Sequence, residues 1–153
     1  MNRFLASLLL GFCATGFAQE PTVRVTNAWV RSTVPGQQAS AAFMTLTASK
    51  DTQLVALSTP VAGVAVVHEM RLENQVMHMR AIAGGLALPA GQAVALQPGG
   101  LHMMLMDLKT TLSPGTRVAL TLVLQDARHA KSQLRIEVPV RASAPVNAAD
   151  APR

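Results

Sequence analysis

Between His68 and Met106 the chain gathers three of its four histidines and six of its eight methionines, and no cysteine. Ten residues separate His68 from Met79, and twenty-two more precede His102-x-Met104. Imidazole and thioether are both neutral donors, and thioether is soft, so it selects Cu(I) over hard cations. His68, Met79, His102 and Met104 together form an uncharged donor set that suits a monovalent ion. Neither donor type forms disulfides, which favours such a site in an oxidising compartment. The residues point first to copper, and to Cu(I) in particular.

The elements that must position these donors read as strands. Short β-branched or apolar runs alternate with Gly, Pro and Asn. They predict strands at residues 23–25, 28–32, 39–47, 53–59, 64–72, 76–82, 93–97, 101–108, 117–125 and 133–140. Turns are expected at Pro35-Gly36, Asn74-Gln75, Gly84-Gly85, Pro89-Ala90-Gly91, Pro98-Gly99-Gly100 and Ser113-Pro114-Gly115. No long helical period competes, although residues 37–41 could hold one helical turn. Many short strands at regular spacing predict a β-sandwich or small barrel.

Side chains alternate faces along a strand. His102, Met104 and Met106 should share one face, as should His68, Met70 and Leu72. With Asn74-Gln75 as a two-residue hairpin turn, Leu72 faces Met77 and Met70 faces Met79. His68 then becomes a diagonal neighbour of Met79. His78 and Glu69 fall on the opposite face, so Glu69 is not assigned as a ligand. Met70 sits near the site as a supporting group or occasional ligand. Met44, Met77, Met103 and Met106 read as core filler, since Met fills irregular gaps. Trp29 reads as packed, and Arg31, Arg71, Arg80 and His129 as exposed.

The N-terminus reads as a secretory signal at residues 1–18: Arg3 gives the charge, Phe4 to Gly16 the apolar stretch, and Gly16-Phe17-Ala18 the cleavage site. The apolar stretch is too short to span a bilayer. Cys13 is the only cysteine and lies within it. Lipidation is disfavoured because Phe12, just before it, is large. Cleavage leaves about 135 residues, one domain at residues 19–141. Residues 142–153, rich in Ala and Pro, read as a disordered tail. The net charge of +5 is spread along the chain, without a nucleic-acid patch.

A family resemblance follows from His68-Glu69-Met70, Met79, the Gly84-Gly85 and Pro89-Ala90-Gly91 turns, and the run from Pro98 to Met106. Ala28-Trp29-Val30-Arg31 and Ala41-Ala42-Phe43-Met44 extend it. From about Val23 to Val140 the chain resembles the periplasmic copper chaperones called PCuAC. The resemblance implies an all-β, cupredoxin-like Greek-key β-sandwich that binds Cu(I) in the periplasm and passes it on. It places the ligands on His68, Met79, His102 and Met104. It implies delivery towards cytochrome c oxidase, often through a Sco-type thiol protein. Gln75 departs from the Gly frequent in the family's hairpin turn, and Leu101 from an aromatic. The tail lacks the His and Met that bind a second metal in some relatives.

A carrier is thus expected rather than an enzyme, and a monomer rather than an assembly. No acid–base pair, serine–histidine–acid set or phosphate loop is present. A blue-copper electron-transfer protein would need a Cys thiolate, which the mature chain lacks. A structural or adhesive β-sandwich with a Met-rich core strand is the remaining alternative. A copper oxidase would call for an N-terminal His, whereas Gln19 is expected first.

Overall fold

The computed structural model describes residues 22–142. The expected signal and most of the tail lie outside them. The described chain is all-β. Ten strands follow in order: β1 (Val23–Arg31), β2 (Ala39–Ala48), β3 (Thr52–Ser58), β4 (Ala62–Glu73), β5 (Val76–Ala81), β6 (Leu86–Leu88), β7 (Ala93–Leu96), β8 (Leu101–Leu108), β9 (Arg117–Asp126) and β10 (Lys131–Arg141). Residues 39–41 begin β2, so the helical turn considered for residues 37–41 does not form. The three-residue β6 was not anticipated; Leu-Ala-Leu is too short to show a pattern.

The strands run β5-β4-β8-β2-β1-β10-β9-β3-β6, with β7 also on β2. One layer holds β5, β4, β8, β2 and β1; the other holds β10, β9, β3 and β6. The parallel pair of first and last strands, β1 and β10, joins them. This is the cupredoxin-like architecture that the family resemblance implies. The core between the layers is aliphatic: Met44, Leu46, Met103, Leu105, Leu120, Leu122, Val30 and Val138 are all buried. Alternation explains it, because β9 (RVALTLVLQD) turns every second residue, Val118, Leu120, Leu122 and Leu124, inward.

One irregularity determines what reaches the other side of the first layer. The sequence predicts two short strands around Asn27; the structure joins them in one strand containing a bulge. Thr26 pairs with Thr45 but Trp29 with Phe43, so β1 carries one extra residue. Asn27 adopts φ 53° there. Asn tolerates the left-handed region better than most residues. An inserted residue reverses alternation. Before the bulge Val23 points inward; after it Val30 points inward, while Trp29 and Phe43 pack together in a separate cluster with Ala41 on the outer face.

Candidate metal centre

The donors stand on that outer face, where β5, β4, β8 and β2 lie side by side. The hairpin between β4 and β5 forms as expected: Leu72 pairs with Met77 and Met70 with Met79. Asn74 and Gln75 both have positive φ, 50° and 64°, the conformation that a tight hairpin turn needs. His68 pairs directly with His102 across β4 and β8. Their rings meet edge to face with centroids 5.9 Å apart.

His68 Nδ1 lies 3.1 Å from Met79 Sδ. Donor atoms each bound about 2.0–2.3 Å from one ion sit roughly 3–3.7 Å apart, so this pair is already spaced as two corners of one coordination shell. His102 is held differently. Its Nδ1 lies 3.0 Å from the Gly100 carbonyl oxygen. A carbonyl only accepts, so Nδ1 carries the proton and Nε2 keeps the lone pair. The same Gly100 oxygen accepts the Met70 N–H at 3.3 Å. The Pro98-Gly99-Gly100 turn therefore fixes one imidazole and its neighbouring strand together. Gly99 takes φ +81° in that turn, which suits a residue without Cβ.

Met104 lies on the same face as His102, opposite Val66 on β4 and Ala41 on β2. Met70, His102 and Met104 share the wall of an open cavity of about 530 Å³, lined also by Phe43 and Pro98. Thus His68, Met79 and His102 are drawn directly together. Met104 joins them along the face and cavity wall, and Met70 stands between the hairpin and the cavity. His78 pairs with Arg71 on the far face and is exposed, as are Arg71 and Arg80. Glu69 pairs with Arg71, and Glu73 with Arg80.

Two expectations about methionine need correction. Met77 is no core filler: it is 48% exposed, because β5 is an edge strand with nothing packed over it. Met106 points to the outer face and is only half-buried. Met44 and Met103 are buried as expected. Sequence reasoning missed the platform beside the donors. Trp29 and Phe43 stack with centroids 4.6 Å apart, and Arg31 lies 5.4 Å above the Phe43 ring. The signal was the Ala-Ala-Phe run in β2, whose odd members share one face; only the β1 bulge brings Trp29 to that same face.

Burial holds the His68 imidazole below its usual 6.5, and the charge of His102 acts in the same direction. The ring is thereby kept in the neutral form that binds metal. Among the described residues no three His, Cys, Asp or Glu side chains converge as a metal group. A hard ion thus lacks an oxygen cage here, whereas the nitrogen–sulfur face fits a soft one.

Fold and face together define a cupredoxin-like domain that presents soft donors at its surface. A family model described as "Putative lipoprotein LpqE-like" matches residues 23–140, and the chain belongs to this family, of the PCuAC group. A Leifsonia xyli subsp. xyli protein, likewise described as a lipoprotein, is 32% identical over 147 residues, covering 90% of this chain and 86% of the relative. The solution structure of Cu(I)-DR1885 from Deinococcus radiodurans is 30% identical, with a TM-score of 0.60 over 82% of each chain. The apo PCuAC domain of PmoF1 shares the fold, with a TM-score of 0.64 at 23% identity, covering 80% of this chain and 96% of that one.

Proposed function

We propose that this protein is an extracytoplasmic Cu(I) carrier. It holds copper as cargo on His68, Met79, His102 and Met104 and hands it to a cuproenzyme. The observation that carries the reading is the convergence of His68 Nδ1, Met79 Sδ and the His102 ring on the outer face of the first layer, with His102 buried and Met79 exposed. The Cu(I)-bound relative from Deinococcus radiodurans supports the choice of metal. Within this reading the protein carries an ion and converts no substrate. Cytochrome c oxidase is the proposed destination, reached through a Sco-type thiol protein. Thiolate carries charge that thioether and imidazole lack, so such an acceptor draws Cu(I) from this site. Chelator competition and X-ray absorption on the purified protein test the reading. One Cu(I) with mixed nitrogen and sulfur neighbours is expected; failure to bind at micromolar copper would leave a structural β-sandwich.

Residues 1–18 are proposed to be removed on export, with release into the periplasm. The family's lipoprotein description makes Cys13 the point to check, because Phe12 argues against lipid attachment there. Intact mass of the exported protein should correspond to a start at Gln19. A diacylglycerol-modified Cys13 would place the carrier on a membrane instead.

A further inference from the structure

The cavity beside His102 and Met104 is also lined by Arg31, a positive charge that copper binding does not use. Val30 pairs with Val140, and Arg31 with Arg141, across β1 and β10. Both valines are buried in the core, so both arginines point outward, side by side. Like charges on adjacent strands repel. Among the described residues, the ion pairs are Arg71 with Glu69 and Arg80 with Glu73, and neither Arg31 nor Arg141 has a carboxylate partner. Arg31 instead lies against the Phe43 ring and lines the cavity with His102 and Met104. Phe43, Ala39 and Ala41 give the cavity a small apolar patch, beside the polar Gln37, Gln38 and Ser40. Such a surface fits a partner with an anionic group beside a small apolar one.

We infer that this cavity docks the copper acceptor itself: a thiol-bearing protein loop whose carboxylate is met by Arg31 and Arg141. The inference rests on the carrier reading above and adds the route of transfer. The acceptor approaches from the β2 side, over Phe43, and reaches copper at Met104 before the exposed hairpin. The acceptor's thiol gives its proton to solvent and its sulfur bonds to copper as the bond from Met104 Sδ breaks. Copper stays Cu(I), and nothing is oxidised or reduced.

The test uses copper-loaded full protein and two synthetic dithiol peptides, identical except that glutamates in one are glutamines in the other. At low ionic strength, transfer to the acidic peptide is expected to be about tenfold faster, an effect of electrostatic steering. The double variant Arg31→Glu, Arg141→Glu should abolish or invert that preference while chelator competition shows copper affinity within about twofold of wild type, since neither residue donates to the metal. Ala39→Phe, which fills the cavity, should slow transfer to both peptides with affinity again unchanged. Equal wild-type rates to the two peptides, or a preference that survives the double variant, overturns the inference. Loss of copper by the wild-type protein before any peptide is added would instead overturn the carrier reading, and the inference with it.

Discussion

The two halves of the donor face are held with unequal firmness. His102 is 6% exposed, lies on β8 between β4 and β2, and has its ring tied to the Gly100 carbonyl. Met79 is 51% exposed and sits on β5, an edge strand with β4 as its single neighbour. Few buried contacts and exposed backbone hydrogen bonds mark the parts of a protein that open first. In the proposed site the β8 half would fix where the ion sits, and the β5 half would govern how easily it comes and goes. A carrier needs both properties, and here they fall on different strands.

The sharpest way to break this contrast is to remove the firm donor. His102→Gln can still donate a hydrogen bond to Gly100, so the fold should survive. Copper affinity should fall more than about 100-fold, beyond the roughly 10–100-fold typical of losing a partner that only supports a ligand. Chelator competition reads the loss; a smaller drop would reduce His102 to a packed core-like histidine. The second comparison sets Met104→Leu against Met79→Leu. Leu and Met differ little in volume, so Met104→Leu should cost under ~1.5 kcal/mol of stability. Met79→Leu, at the exposed edge, should stay within about 0.5 kcal/mol. Both should weaken Cu(I) binding, Met104→Leu more, and Met79→Leu should mainly speed release. Equal off-rates would remove the division of labour.

Acid should act more gently. The His68 imidazole must be neutral to bind metal, and burial holds it below its usual 6.5, so its contribution to copper affinity should be lost only as pH falls below that value. The sign for the metal-free fold is the same: a histidine held below its unfolded value binds fewer protons when folded, so stability is lost as pH falls through and below 6.5. Chelator competition across that range checks the effect on copper, and an affinity unchanged well below it would exclude the His68 ring as a ligand. The smallest effect is expected at the hairpin tip. Gln75 has φ 64°, a conformation that Gly adopts without Cβ strain. Gln75→Gly should stabilise the hairpin by at most about 1 kcal/mol, seen as slower amide exchange in β5 with copper affinity unchanged. Faster exchange would mean that Gln75 makes a contact that offsets its strain.

Much of this was legible in the sequence, for identifiable reasons. Alternation in residues 101–108 put His102 and Met104 on one face. The Asn74-Gln75 turn then fixed the pairing of Met70 with Met79, since a two-residue turn leaves one register. What escaped was whatever depends on a neighbour remote in sequence. Met77 has the composition of a core residue, and only the strand order makes it an edge residue. The outward turn of Trp29 depends on one extra residue near Asn27, which periodicity alone reads as a break between two strands. The adjacency of Arg31 and Arg141 joins the two ends of the described chain, and no local pattern announces it.

That last adjacency bears on how the molecule is made. Because β1 finds one of its two neighbours only in β10, the layers cannot be joined until the C-terminal strand has been synthesised. Contacts between such distant segments form slowly. A chain that emerges N-terminus first would therefore join its two layers only after its far end had emerged.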